Sequence, residues 1–459
     1  MQLSLTEGKI SRLLIRFSTP ILLASLIQMG TSLINVFFLN LLASPSSVAG
    51  AWNALMLTSS ISLMFLGVMN GGIILLGQHF GARQEKDAAR AVGNVILLQI
   101  VTAILSICLI HLLGRWYIGI INVPTEADES GLVAASEAWR YMRVISFGVV
   151  FQSGNSLINA TLRALGDSKR PMIFITILCL IGIALDYVFI GHFGLGAAGA
   201  ALATVIAHAC SFSVALSYVL RKKLPFPFSL RDIRPDMTKI NKILRLGIPM
   251  SLQSLLSTVS FAVIGSIING MGVFASAANS VVNNIVNLIF IIPSAIGSAL
   301  SAISAQNLGA GKAERAFQGA RLGVLFSLMI AVPATLIASF APTAIVSLIA
   351  RDPDVIEASA AYLISFSWDF VLVSFVFCMN GFFNGCGFTS FVASHVTVAS
   401  FAVRIPVSWA LSRIAGATLF HVGIGTPAAT VVSLIMCIIF YKVRLSGGKL
   451  AKLRIADSK

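Results

Sequence analysis

The sequence predicts an all-α membrane protein, with twelve transmembrane helices forming two six-helix bundles related by a pseudo-twofold axis. Three observations predict it. First, 57% of the 459 residues are hydrophobic and 11% are charged, with mean hydropathy +0.91. Soluble domains carry about 25% charged residues, so a chain this apolar could not cover its surface in water. Second, apolar runs recur from end to end, each near the roughly 20 residues that cross a bilayer. Third, the second half repeats the first. Gln78-His79-Phe80-Gly81-Ala82 and Gln306-Asn307-Leu308-Gly309-Ala310 each stand where an apolar run meets a charged loop, at an offset of 228.

Taken in order, the first run, 12–42, follows Lys9 and begins with Arg12 and Arg16; it contains Pro20. No small-residue cleavage site lies at the expected distance, so it reads as a retained helix and not as a signal peptide. The second run, 51–78, ends in the Gln78 motif. The third, 91–114, follows the charged stretch Glu85-Lys86-Asp87. The fourth, 138–162, follows an acidic loop with Glu126, Asp128 and Glu129. The fifth and sixth are 171–191 and 196–220. A linker at 221–245 then carries eight Lys or Arg and Pro225, Pro227 and Pro235. Runs seven to twelve cover 246–270, 274–305, 319–350, 358–385, 392–412 and 420–441.

The repeat sets the domains. Pro20 pairs with Pro249 and Asn40 with Asn269 at offset 229. Asn159 pairs with Asn380 at 221, and Ala203-Thr204-Val205 with Ala429-Thr430-Val431 at 226. The common order across drifting offsets is what two diverged halves leave behind. The expected division is an N-lobe at 1–220, the linker at 221–245, and a C-lobe at 246–459 that ends in a basic tail. Six helices per half make the repeat parallel, a layout in which two lobes flank a central cavity.

The net charge of +15 would suit a nucleic-acid partner, but its distribution argues otherwise. With both termini cytoplasmic, 26 of the 32 Lys and Arg fall in inside segments. The outer loops carry acids instead, among them Asp352, Asp354 and Glu357. This positive-inside pattern reports topology in a cell inner membrane. The cysteines Cys108, Cys179, Cys210, Cys378, Cys386 and Cys437 lie in or at the ends of runs without metal-ligand spacing, and read as packing residues. No Gly-x-Ser-x-Gly, His-Glu-x-x-His or nucleotide-binding loop motif occurs, which argues against an intramembrane enzyme or an ATP-driven pump. No cofactor or metal is implied.

Motifs across nearly the whole chain resemble the multidrug and toxic compound extrusion (MATE) family. They are the two Gln-x-x-Gly-Ala copies, Leu162-Arg163-Ala164-Leu165-Gly166-Asp167 followed by Pro171, and Leu185-Asp186. Gly199-Ala200-Ala201-Leu202-Ala203-Thr204 and Arg245-Leu246-Gly247-Ile248-Pro249 complete the set. The resemblance implies the MATE fold in a bacterial, monomeric exporter of small amphipathic, often cationic drug-like compounds. Such exporters couple to H⁺ or Na⁺. The seventh-helix position of one Na⁺-linked acid of the NorM branch is Ser257 here, so the DinF-like, proton-coupled branch fits better. A Na⁺-coupled exporter and a flippase for lipid-linked precursors are the alternatives. The flippase needs a cationic cavity, and Arg404 is nearly the whole deep cation count.

Charge within a bilayer costs about 3 kcal/mol or more per residue. Asp186, mid fifth run, is the expected proton-coupling acid, since an acid buried in low dielectric can bind and release a proton as solvent access alternates. The resemblance adds Tyr141 and Thr204 to that site. It also shows two departures, Gly182 where the family has Asn and Asn35 where it has Asp. Asn keeps hydrogen-bonding capacity but cannot titrate. Either coupling runs through Asp186 alone, or Asn35 stands where the natural protein carries Asp. Pro20 would kink the first helix. Asp369 and Arg404 would limit their burial cost by pairing. The candidates for the substrate cavity are Met29, Phe151, Asn155, Asn159, Gln253, Asn283, Asn284, Asn287, Asp369 and Arg404. The aromatics suit flat apolar cations. His208 and His395 read as satisfied core residues.

Overall fold

A computed structural model describes residues 4–121, 129–222 and 224–446. Glu126 and Asp128, Lys223 of the linker and the tail at 447–459 lie outside the described residues. Helices dominate throughout, and no strand occurs among the described residues. This follows from the composition: where no water reaches the backbone, each N–H and C=O must be satisfied within its own segment.

The long helices are α1 (Ile10–Leu42), α2 (Pro45–Gly81), α3 (Glu85–Ile121), α4 (Glu129–Ala164), α5 (Lys169–Asp186), α6 (Gly196–Lys222), α7 (Met237–Asn269), α8 (Val273–Gly309) and α9 (Ala313–Phe340). The short α10 (Pro342–Val346) precedes α11 (Pro353–Gly385), α12 (Thr389–Val398), α13 (Ile405–Ser412), α14 (Leu419–Gly423) and α15 (Gly425–Phe440). A π-helical turn at Tyr187–His192 extends α5, and another at Ala399–Arg404 joins α12 to α13. Among the described residues, eleven stretches are long and apolar enough to cross a membrane. The helix at the fourth predicted run, α4, is not among them; its Arg140, Arg143, Asn155 and Asn159 make it more polar. The ninth predicted run, 319–350, is broken: α9 stops at Phe340 and Pro342 opens α10. Proline has no N–H to continue a helix but fits its first turn.

The chain divides into two compact units. Unit 1 comprises Leu23–Leu76 and Gln84–Ser251, and unit 2 comprises Leu3–Leu22, Gly77–Arg83 and Leu252–Lys459. The starts of α1 and α7 are thus exchanged: each begins in the unit that does not hold its remainder. Pro20 and Pro249 both stand two residues before these crossings.

In unit 2 the N-terminal segment is built in by packing and by hydrogen bonds. Leu5, Leu13, Leu14, Phe17 and Ile21 form one core cluster with Ala295, Ala299, Leu300 and Ile303 of α8. The Asn307 side-chain amide donates to the Leu5 carbonyl at 3.0 Å, and Arg315 donates to the Gly8 carbonyl at 2.7 Å. In unit 1 the start of α7 is held in the same manner. Lys239 pairs with Asp87 at 2.8 Å, and the Asp236 N–H donates to Asn94 Oδ1 at 2.9 Å.

The duplicated motif has a steric basis. In unit 2 a Cβ on Gly81 would lie 2.0 Å from the Gln306 carbonyl oxygen, and a Cβ on Gly309 would lie 1.9 Å from that of Gln78. Each glycine therefore lets its helix touch the backbone of the other copy of the motif. The Gln78 side chain donates to the Gly385 carbonyl at 3.1 Å.

Candidate functional site

Asp186 is the last residue of α5 before its π-helical turn and is 2% exposed. Asn35 of α1 donates from Nδ2 to Asp186 Oδ2 at 2.9 Å. The second carboxyl oxygen, Oδ1, is buried without a hydrogen-bond partner. No cation pairs with Asp186 among the described residues. Tyr141 of α4 is buried and close enough to Asp186 for Coulombic interaction. Thr204 is directed elsewhere: its hydroxyl donates to the Ala200 carbonyl at 2.9 Å. At Gly182, one turn before Asp186, an added Cβ would meet only Ala207, at an ordinary contact distance of 3.8 Å.

Further along unit 1, Asn155 and Asn159 are buried. Asn159 donates to Asn155 Oδ1 at 3.3 Å, Asn155 to Ser211 Oγ at 3.1 Å, and Ser211 to the Phe174 carbonyl at 2.8 Å. This chain ties α4 to α6 and α5, as polar groups do between membrane helices. Phe151 lies 6.3 Å from Phe212, ring to ring, and Met29 is half-buried.

Unit 2 holds a second buried acid. Asp369 of α11 is 1% exposed and its Oδ1 is buried without a hydrogen-bond partner, while the Thr430 hydroxyl of α15 donates to the Thr426 carbonyl at 3.2 Å. The expected ion pair with Arg404 does not form: no such pair lies within 4.0 Å among the described residues. Arg404 closes the π-helical turn and places its guanidinium 4.4 Å from the ring centroid of Phe261 on α7. Asp369 and Tyr362 lie near enough to interact with it electrostatically. Tyr362 was not singled out in the sequence, although applying offset 221 to Tyr141 finds it, just as Thr204 leads to Thr430 at 226.

The remaining candidates scatter. Asn283 donates to Asn279 on its own helix at 3.1 Å, Asn284 and Asn287 are exposed, and Gln253 is half-buried. Phe290 packs edge-on against the buried Phe370. His395 is satisfied as expected, bonded to Asn380 at 2.9 Å and Ser433 at 3.3 Å. His208 is not, since its Nδ1 is buried without a partner.

The MatE family profile matches residues 20–188 and 249–410. The chain belongs to the MatE family. The two matched stretches begin at Pro20 and Pro249, the repeat offset of 229 read from the sequence. As a MATE protein it is a multidrug efflux transporter and not an enzyme. Among relatives, it is similar to the "Probable multidrug resistance protein YoeA" of Bacillus subtilis (strain 168), 26% identical over 93% of this chain and 92% of that one. Its fold matches solved structures of MATE in the straight conformation (TM-score 0.89) and in the bent conformation (TM-score 0.88). Each is 20% identical and covered over 98% of either chain.

Proposed function

We infer that this MATE transporter exports amphipathic, often cationic compounds across the cell inner membrane by proton antiport, through alternating access of its two lobes. The observation that carries this reading is Asp186, a carboxyl buried within a span and held by a neutral amide, with no cation paired to it among the described residues. A buried carboxylate without a fixed counter-charge is costly, so a mobile cation is needed to balance it, and a proton is the smallest. The unpartnered Oδ1 is the place for that proton. Asn35 ties α1 to the acid, and Tyr141 and Thr204 complete the proposed surroundings. Pro20 gives α1 a point at which a change at Asp186 could be answered by bending. The basic inner segments favour cytoplasmic termini. The polar groups proposed to meet substrate are Asn155, Asn159, Gln253, Asn283, Asn284, Asn287, Asp369 and Arg404, with Phe151 and Met29 as apolar surface.

The test is ethidium or norfloxacin efflux from cells lacking their own pumps, with a proton uncoupler and, separately, with sodium removed. Collapse with the uncoupler alone supports proton antiport. Collapse on sodium removal alone favours the Na⁺-coupled alternative, and indifference to both rejects antiport.

A further inference from the structure

Arg12 and Arg16 are two cations of α1 that neither the packing nor the proton-coupling reading uses. They stand one helical turn apart, so both side chains leave the helix on one side, about 5–6 Å apart at Cβ. The other side of the same turns is core. Leu13, Leu14 and Phe17 are buried with residues of α8, whereas Arg12, Ile15 and Arg16 are exposed. Ile15, between the two arginines, is 51% exposed. Ser11, Arg12, Ile15 and Arg16 line a cavity of about 420 Å³, within the roughly 300–1,000 Å³ usual for small-ligand sites.

Neither arginine has a carboxylate within 4.0 Å among the described residues. The cations that hold the N-terminal segment are spent elsewhere. Lys312 donates to the Thr6 carbonyl at 3.1 Å, and Arg315 donates to those of Glu7 and Gly8 at 2.8 and 2.7 Å. The position of the pair adds to its need for a partner. A helix N-terminus carries partial positive charge and favours anions, yet the first turn of α1 contains no acid. Lys9 and Arg12 crowd it instead, with Arg16 one turn further on. The group that balances this end of the helix is therefore an anion. Two neighbouring guanidiniums present planar forks that match phosphate oxygens, and Ile15 gives the same cavity an apolar wall. A negatively charged phosphate joined to an apolar tail suits both.

We propose that Arg12 and Arg16 hold the headgroup phosphate of an anionic phospholipid at the base of α1. On the proposed topology, with the N-terminus cytoplasmic, the lipid comes from the inner leaflet, whose anionic headgroups occupy basic pockets at the ends of membrane helices; only that choice of leaflet rests on the topology. The bound lipid fixes the part of α1 that precedes its proline. Pro20 has no N–H to donate to the Arg16 carbonyl four residues back, so the anchored turns end where the helix is weakest. The competing account is that the two arginines only set topology and attract any anionic surface.

Lipid binding to the full-length protein in detergent separates the two, and it depends neither on the leaflet nor on drug export. Dioleoyl phosphatidylglycerol, dioleoyl phosphatidylcholine and free glycerol phosphate are titrated onto the protein and bound copies are read by native mass spectrometry. The variants are Arg12→Gln/Arg16→Gln, Arg12→Lys/Arg16→Lys and Ile15→Asp. The control is Arg221→Gln/Lys222→Gln, which removes two exposed cations from the end of α6. The wild type is expected to prefer phosphatidylglycerol to phosphatidylcholine. Phosphatidylglycerol affinity should fall about tenfold or more in the Gln pair, the scale of two lost cations beside an anionic headgroup, and should persist in the control. The Lys pair, which keeps charge and topology but not the forks, should fall between the two. Ile15→Asp keeps both arginines and sets a carboxylate between them, so it should lose as much as the Gln pair, and it decides the question if that pair does not fold. Equal losses in the Gln pair and the control overturn the proposal, as does the absence of any preference for phosphatidylglycerol. Glycerol phosphate bound as tightly as the lipid identifies a site for soluble phosphate compounds and overturns the lipid assignment.

Discussion

The two units carry the same frame around different charges. Tyr141 and Thr204 in unit 1 answer to Tyr362 and Thr430 in unit 2 at repeat offsets of 221 and 226. In unit 1 the acid is on α5, and its hydrogen-bond partner among the described residues is the neutral amide of Asn35. In unit 2 the acid has moved to α11, and a fixed cation, Arg404, lies close enough to interact with it electrostatically. Opposite Asp186 at offset 221 stands apolar Val407. Duplication has kept the scaffold and redistributed the charges. One copy holds an acid whose balance must come from outside, and the other holds an acid and a base fixed in the protein.

The sharpest way to break this comparison is to neutralise each acid in turn. Asp186→Asn is expected to reduce pH-gradient-driven efflux to the background of cells without the transporter. Asp369→Asn is expected to leave a clear gradient-driven signal. Efflux assays with and without uncoupler check both, and equal loss in the two variants would mean that the units do not divide the work.

Next in size is the shared scaffold. Gly81→Ala and Gly309→Ala each push a methyl group into a backbone carbonyl and should cost at least about 1–3 kcal/mol, read as a lower melting temperature in detergent. Gly119→Ala, where nothing lies within 4 Å of the added Cβ, should be neutral or should stabilise by up to about 1 kcal/mol. A normal melting temperature for Gly81→Ala would remove the steric account of the motif.

A smaller effect is expected from Asn35→Asp, which places two carboxyls where one now stands. Such a pair titrates as a unit and can share a proton. Transport driven by a pH gradient in proteoliposomes should become a few-fold faster, and an unchanged rate would show that Asp186 suffices alone. The smallest difference concerns the prolines. Pro20→Ala should slow efflux a few-fold with little change in melting temperature, because α1 carries Asn35. Pro249→Ala, in a helix that gives Asp186 no hydrogen bond among the described residues, should slow it less. Equal slowing would attribute the effect to helix α7 as much as to α1.

Much of this was legible before any coordinates. Length and apolarity of the runs found the spans, because a bilayer imposes both, and the repeat was visible through Pro20 and Pro249, Gln78 and Gln306. Asp186 stood out because charge in an apolar run is rare. Other features left no such trace. Nothing in the periodicity of 392–412 announces the π-helical turn, since one inserted residue shifts the frame without altering composition. The pairing of Asp369 with Arg404 was inferred from opposite charge on adjacent helices, and the arginine instead sits on Phe261, a residue 143 positions away in sequence (404 − 261). The exchange of the helix starts was equally hidden, since one apolar helix face reads much like another until its neighbours are known.

That exchange bears on how the chain is made. Phe17 packs in a cluster with Ala295, Ala299 and Ile303, residues synthesised 278 to 286 positions later. At roughly 5–20 residues per second, the first membrane helix emerges from the ribosome on the order of 15–55 s before its lasting neighbours exist. During that wait its leading turns must rest against lipid or a chaperone. Expressing the two sequence halves as separate polypeptides would therefore give neither unit its complete set of helices, and the first half made alone is an obvious substrate for membrane quality control.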